Sequence, residues 1–294
     1  MNPYKLQQSI EHVPDILIGM LLRQKIEHSS YRFGINTEKN RKEKIIVSLK
    51  TYNKRYETIG STLKSLLLQT VKPDHIIVWL DEDTIENKIT EEMRSFEQYG
   101  IEYKHRNLGL KPHGKYFYAM QEFPNDIIIT VDDDIIYPPK LIESLMKTHE
   151  KYPQSVCARR VHLITFNSNG KLQKYSDWKY EYRRILTPSY LLCATGGAGA
   201  LYPPHALPEE AFIIDNIKKY CLTADDLWLK VMELKNEVTV IWVKNHLILP
   251  PLVKGAQKNA LSIKNVTQCE NDLFIQKLEE IYPNVFQFLV NCNH

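Results

Sequence analysis

The sequence is short of several things that would decide its class early. No uninterrupted apolar run approaches the roughly 18 residues that a membrane-spanning helix needs. Asp15 and Arg23 interrupt the early apolar stretch around Val13–Leu22, which also lacks a basic leader region and a cleavage site. The five cysteines, at positions 157, 193, 221, 269 and 292, are odd in number, widely spaced and form no CxxC pair. That pattern argues against a disulfide framework and a zinc knuckle, and it fits a reducing cytoplasm. Charge of one sign is also scarce: 38 Lys and Arg against 35 Asp and Glu leave +3. So small a surplus gives no footprint for nucleic acid. It is compatible with an anionic small ligand or with a weak peripheral contact at a membrane surface. There is no internal repeat and no low-complexity tract. Glycine is sparse, at 11 residues, so any cluster of glycines is informative.

What is there is ordinary globular usage, 43% hydrophobic and 25% charged, which argues against wholesale disorder. A compact chain of 294 residues buries roughly 75% of its unfolded surface, so it needs no disulfide or metal staple. Residues 1–40 read as a polar, irregular arm apart from Ile16–Leu22. Beyond it the sequence predicts strands at Lys44–Leu49, His75–Leu80, Ile101–Lys104 and Asp126–Val131. Helices are expected at Arg55–Gln69, near Thr90–Tyr99 and at Gly114–Glu122. Strands alternating with helices at spacings of about 25–30 residues predict right-handed βαβ units and a parallel sheet. The second half is less regular. It predicts helices at Pro139–Lys151, Asp226–Leu234 and Asn271–Tyr282, and strands at Val156–Ile164, Ser189–Ala194 and Val238–Val243. The fold class is α/β, with a mostly parallel central sheet flanked by helices and a mixed second half.

Chemistry concentrates in three places. Asp132, Asp133 and Asp134 follow a β-branched strand, and ligands of open α/β sheets bind outside the carboxyl ends of the strands. Three adjacent carboxylates repel one another unless a cation or solvent offsets them. Asp132 and Asp134 flank one residue and can share a hard divalent ion, Mn²⁺ or Mg²⁺, together with substrate phosphates. A solvated acidic turn ahead of the helix near Pro139 is the plainer alternative. Gly196, Gly197 and Gly199 fall within four residues, where backbone N–H groups can approach a ligand closely, or where the chain simply bends. A phosphate-binding P-loop is excluded because no Lys-Ser/Thr follows. Asp225 and Asp226 sit at a predicted helix start, as a general base or, with Thr223, as a helix cap.

Six segments together resemble the nucleotide-sugar-dependent glycosyltransferases of the GT-A fold, in particular the large inverting family that includes many bacterial polysaccharide and lipopolysaccharide synthases. They are IIVSLKTYN at 45–53, VWLDED at 78–83, NLGLKPHGKYFYAM at 107–120, TVDDD at 130–134, TGGAGALYPP at 195–204 and TADDLW at 223–228. They occur in the family's order over roughly residues 44–250. One position departs from it: Lys50 stands before Thr51-Tyr52-Asn53 where the family usually has proline, so Lys50 can instead reach toward phosphate.

The resemblance implies roles for individual residues. Ser48, Thr51 and Tyr52 would hold the base and ribose, and Asp81 would accept a hydrogen bond from the base. Lys111 and Lys115 would approach the diphosphate, a solvated role being the alternative for each. Asp132, Asp133, Gly196 and Gly197 would contact the donor. Asp132 and Asp134, with His246 as a further candidate, would hold the metal. Asp226, or Asp225 beside it, would deprotonate the acceptor. Tyr175, Trp178, Tyr180 and Tyr182 would stack on an acceptor sugar or pack on a strand, and Asn271-Asp272 would close over the acceptor or cap a helix.

The division that follows is an arm at 1–40, a GT-A domain at 41–258 and a C-terminal helical extension at 259–294. Within the domain the nucleotide half spans about 41–138 and the acceptor half about 139–258. The implied activity is metal-dependent hexosyl transfer, with inversion, from a nucleoside diphosphate sugar, a UDP-sugar being favoured, to a saccharide or lipid-linked hydroxyl. The implied setting is the cytoplasm or the inner face of the membrane. Two rivals remain open. A sugar nucleotidyltransferase needs similar acids, but it usually opens with a glycine-rich loop that LKTYNKR lacks. A nucleotide-sugar-binding module without catalysis is the other. Oligomeric state is not legible.

Overall fold

The structure, a computed structural model, describes residues 13–38, 40–80, 89–245, 247, 250–256 and 270–292. Helix α1 (Val13–His28) precedes strand β1 (Ile45–Thr51), a 3-10 turn at Asn53–Arg55 and helix α2 (Gly60–Leu67). Next come β2 (His75–Leu80), α3 (Glu91–Ser95), β3 (Ile101–His105), α4 (Gly114–Glu122), β4 (Ile127–Thr130) and α5 (Leu141–Lys151). The second half contributes β5 (Val156–Ala158), β6 (Val161–Leu163), β7 (Leu192–Ala194), β8 (Ala200–Tyr202), α6 (Ile214–Tyr220), α7 (Asp225–Lys235) and β9 (Val240–Trp242). Helices α8 (Glu270–Ile281) and α9 (Pro283–Asn291) close the chain over α7.

Among the described residues seven strands form one sheet in the order β3-β2-β1-β4-β8-β5-β9. Strands β1 to β4 are mutually parallel, β8 runs antiparallel to both neighbours, and β9 is parallel to β5. This is the mixed, mostly parallel sheet expected. Its central strands are apolar on both faces because helices cover both. Along β1, Ile45, Val47 and Leu49 face α2 and α5, while Ile46 faces the layer that holds α4 and α7. Helix α2 is fixed by Leu63, Leu66 and Leu67, all fully buried with Ile59 just before it. Each contributes about 1.5–3 kcal/mol by leaving water.

Four segments differ from the sequence reading. Residues 13–28 form a regular helix rather than an irregular arm, because Asp15, Gly19, Leu22 and Ile26 supply a helical stripe that packs inward. The helix expected from Arg55 begins only at Gly60, since a 3-10 turn at Asn53–Arg55 first carries Arg55 under the acidic cluster. The strand expected over Val156–Ile164 is two strands. At the break Arg159 N donates to Gly199 O (3.1 Å) and Thr195 N donates to Arg160 O (3.0 Å). There the chain leaves the large sheet for the two-stranded β6–β7 sheet. Of Ser189–Ala194, only Leu192–Ala194 is a strand, Ser189 making an isolated bridge to Val240.

Candidate active site

The topology brings five chain segments to one edge of the sheet. Strand β4 delivers Asp132 at its carboxyl end. Strand β8 runs the other way, with Ala200 opposite Thr130, so the glycine turn at Gly196–Gly199 enters the sheet where β4 leaves it. Strand β5 ends beside them with Arg159 and Arg160. Helix α4 offers Lys115 from its first turn, and α7 offers Asp225 and Asp226 from its own.

The side chains interlock. Lys115 Nζ lies 2.7 Å from Asp132 Oδ1 and 3.0 Å from Asp225 Oδ2. Gly196 N donates to Asp226 Oδ1 at 2.9 Å. Residue Ala224 precedes α7 and makes no side-chain cap, so Asp226 turns to the glycine turn instead of capping its helix. Glycine at the turn leaves room for the charged side-chain tips around it. A Cβ at Gly196 would come within 2.9 Å of Lys115 Nζ, and one at Gly197 within 2.6 Å of an Arg160 terminal nitrogen and 3.1 Å of Asp132 Oδ2. Arg160 is aimed by its Nε, which donates to Thr195 Oγ1 at 2.6 Å. Tyr137 braces the corner from below. Its hydroxyl accepts from Asp132 N (2.8 Å) and donates to Gly197 O (2.9 Å).

Asp133 and Asp134 turn the other way. One Arg55 nitrogen lies 2.8 Å from Asp133 Oδ1 and 2.7 Å from Asp134 Oδ2, and Thr51 Oγ1 donates to Asp133 Oδ2 at 2.7 Å. The triplet is therefore split: Asp132 faces Lys115, and the other two face Arg55. Thr51 and Asp133 are buried. Ser48 is fully buried, accepting from Trp79 Nε1 (2.8 Å) and donating to Lys115 O, so both capacities of its hydroxyl are spent in packing β1 on α4. Tyr52 is half-buried with the Arg55 guanidinium 5.7 Å from its ring centre. Lys111 is exposed and holds φ of 49°, a left-handed backbone uncommon for a residue other than glycine. Asp81 and His246 lie outside the described residues.

The model of Glycosyl transferase family 2 matches residues 46–205, more than half of the chain, from the second residue of β1 through β8. The chain belongs to that family. Comparison with curated proteins gives no match. Among solved structures, the mannosyltransferase PcManGT from Pyrobaculum calidifontis, in complex with GDP-Man and Mn²⁺, aligns at a TM-score of 0.51 and 9% identity over 99% of this chain and 79% of that one. It shares the fold. S. aureus TarS 1-349 aligns at a TM-score of 0.41 and 17% identity over 68% of this chain, which spans 58% of that 1-349 chain and 35% of the longer TarS chain. A 4-diphosphocytidyl-2C-methyl-D-erythritol synthase aligns at a TM-score of 0.44 and 14% identity, over 80% of this chain and the whole of the other.

In this glycosyltransferase family member the charges set one another's protonation. Burial works against the Lys115 ammonium, but Asp132, then Asp225 and Asp226, outweigh it and hold its pKa well above the ordinary value. Burial likewise opposes the Asp132 carboxylate, and Lys115 overrides it and keeps that pKa low. Asp226 goes the other way. Burial, then repulsion from Asp225, pushes its carboxyl up to about 7, against the pull of Lys115 and the Gly196 N–H. Asp133 also rises to about 7, through burial and its acidic neighbours, with Arg55 and Thr51 pulling back.

Whether this corner suits a divalent ion can be judged from its donors. Among the described residues no three His, Cys, Asp or Glu side chains gather around one point. A metal held by protein alone is not built here. Asp132 keeps a side chain 34% exposed, with only Oδ1 engaged by Lys115. One or two carboxylates open to solvent fit a hard cation whose other positions are filled by phosphate oxygens and water.

Sequence reasoning missed Arg55, Arg160 and Tyr137. A cation two residues beyond TYN and an Arg pair in the middle of the strand expected over Val156–Ile164 were the available signals, but surface arginines look the same in a sequence. The aromatic run resolves toward packing for Tyr175 and Trp178, which are buried with ring centres 5.0 Å apart. Asp272 accepts from Ser176 N (2.9 Å) and Ser176 Oγ (3.0 Å), tying α8 to the 175–177 turn.

Proposed function

We propose that the chain transfers a hexosyl group from a nucleoside diphosphate sugar, a UDP-sugar being favoured, to a hydroxyl of a saccharide or lipid-linked acceptor, with inversion, in bacterial surface polysaccharide synthesis. Residues 41–258 are the catalytic domain in this reading. The observation that carries it is the convergence of Asp132, Lys115, Arg160, the Gly196–Gly197 backbone and Asp226 at one sheet edge. Anion-binding cations and a near-neutral base lie side by side there. The pairing of GDP-Man with Mn²⁺ in PcManGT supports the donor class and the metal.

The roles follow from the contacts. Asp132, engaged by Lys115 through Oδ1 alone, would hold the cation that accompanies the diphosphate, and Asp134 would join it only by leaving its ion pair with Arg55. When bound there, a divalent ion neutralises charge on the departing diphosphate as a Lewis acid. Lys115 and Arg160 add fixed positive charge at the same edge, and Lys115 cancels the carboxylates that would otherwise repel the donor. The glycine turn lets the donor sugar come within reach of backbone N–H groups. Asp226, with a pKa near the working pH, accepts the acceptor's hydroxyl proton. The acceptor oxygen forms its bond to the anomeric carbon as the bond to the diphosphate oxygen breaks, and attack opposite the leaving group inverts the centre. Asp225 is engaged by Lys115 and is the weaker candidate for the base.

The test is release of nucleoside diphosphate from a panel of UDP-, GDP- and dTDP-sugars with Mn²⁺ or Mg²⁺ and a saccharide acceptor. The expected product is a nucleoside diphosphate and an inverted glycoside, with activity lost in Asp132→Ala and Asp226→Asn. Full activity in Asp132→Ala would remove the metal role. Retention of anomeric configuration would remove the single displacement. Pyrophosphate as the product would make the chain a nucleotidyltransferase.

A further inference from the structure

Helix α1 has apolar residues on both faces of its first half. Its inner face packs on the body: Leu22 and Ile26 meet Ile136, Leu247 and Val253, and Gly19 lies against Pro251, where a Cβ would come within 3.4 Å. Its outer face carries Val13, Ile16, Leu17, Met20 and Leu21, an i, i+3, i+4, i+7, i+8 set exposed by 59–64%, with Ile18 beside them. Packing alone gives no reason for that outer set, because those side chains remain in water. Soluble proteins rarely keep so many large apolar groups together at the surface unless something binds there. Leu252, also exposed, extends the patch, and Arg23 donates to its carbonyl.

The patch adjoins the candidate active site. The segment carrying Leu252 pairs with the chain leaving the acidic cluster: Val253 N donates to Asp134 O at 2.7 Å and Ile136 N donates to Pro251 O at 2.9 Å. Charge changes along the same surface. Beyond Leu21 the helix presents Arg23 and Lys25, Lys64 reaches the Glu27 carbonyl at 2.8 Å, and Lys254 follows Leu252. On the helix itself Asp15 is buried and Glu27 is the remaining carboxylate.

We propose that α1 is a lipid-docking helix that lies along an anionic bilayer surface, its apolar face inserted and its cations on the headgroups, and that it brings the Asp132–Asp134 edge to the membrane. The inference goes beyond the transfer reaction and does not depend on it. A helix of 16 residues rises about 24 Å, less than a bilayer core of about 30 Å, so it lies on the surface rather than crossing it. Among the described residues no helix is long and apolar enough to cross. A second copy of the chain fits less well. A stable interface uses about 20–30 residues a side, far more than two helical turns provide, whereas a bilayer needs no matching shape.

The test is co-sedimentation of the full chain with vesicles of phosphatidylcholine alone or with one-third phosphatidylglycerol. The wild type is expected on the anionic vesicles. Leu17→Glu with Leu21→Glu should lower its partition by at least about tenfold with an unchanged melting temperature, both side chains being exposed. Lys25→Glu with Lys254→Glu should weaken binding several-fold on the anionic vesicles only. Absence of wild-type binding to either vesicle, or equal binding by the leucine pair, would overturn the proposal. So would a lipid-free dimer that the leucine pair makes monomeric, which would name a second copy as the occupant.

Discussion

The Lys115 ammonium stands 2.7 Å from Asp132 Oδ1, joining the first turn of α4 to the carboxyl end of β4. The same nitrogen reaches Asp225 at 3.0 Å, so one buried cation neutralises carboxylates from two distant stretches of chain. Removing it leaves Asp225, itself buried, without its counter-charge. Lys115→Met should therefore cost about 3–5 kcal/mol of stability and lower turnover at least 100-fold. Urea unfolding beside a nucleoside diphosphate release assay checks both. Wild-type turnover in a folded Lys115→Met protein would show that the Lys115 charge contributes nothing to the reaction.

Asp226→Asn separates chemistry from folding. The amide oxygen can still accept from Gly196 N, so the glycine turn keeps its anchor. The proton acceptor is lost, and turnover should fall by about 10²–10⁴-fold. Stability should move the other way. The folded carboxyl is raised to about 7 by burial and Asp225, above its ordinary 3.8. The fold thus favours the protonated form, and that stability is lost as pH rises from about 4 through 7. The asparagine variant lacks this loss and should gain on the wild type across that window, read as melting temperature against pH.

The parallel half of the fold was legible because its strands are short, β-branched and punctuated by turn residues, as in HIIVWL and DIIIT. What was not legible depends on pairing over long separations. Nothing local says that Val156–Ile164 must break, since the break is made by Gly199 and Thr195, some 35 residues on. The acids were visible as Asp132–Asp134 and Asp225-Asp226, but their partners were not. Arg55 acts across 78 residues of chain and Lys115 across 110, distances at which a sequence shows only charge, not contact. Helix α1 was read as an arm because its apolar residues circle the helix and give no single stripe.

Gly197 and Gly199 should fail in different ways when changed to alanine. At Gly197 the new methyl meets the tip of Arg160, a side chain that can move if its Thr195 contact breaks. Stability should change by less than about 1 kcal/mol, while the Michaelis constant for the donor rises. Gly199 holds φ of 98°, and its Cβ would press within 2.6 Å of Leu141 Cδ1 in the core. Gly199→Ala should lose about 1–3 kcal/mol from backbone strain and overpacking. Paired unfolding curves and donor kinetics distinguish the two; equal destabilisation by both would undo this division.

Acid sensitivity should trace to Asp74. Its carboxylate accepts from Asn36 Nδ2 (2.7 Å), Arg41 (2.6 Å) and Ile45 N (2.8 Å), pinning the chain ahead of β1 to the start of β2. Burial opposes the charge, but these three donors outweigh it and hold the pKa below the ordinary 3.8. A depressed carboxylate contributes stability that is present above its unfolded pKa and lost as pH falls through the folded one. Asp74→Asn should accordingly be about 2 kcal/mol less stable than the wild type at pH 7, with the gap closing below about pH 4 as the wild type itself becomes protonated. Denaturant titrations at pH 7, 5 and 3 measure the gap. A difference that persists undiminished at pH 3 would mean that the charge on Asp74 contributes nothing and that only the shape of its hydrogen bonds matters.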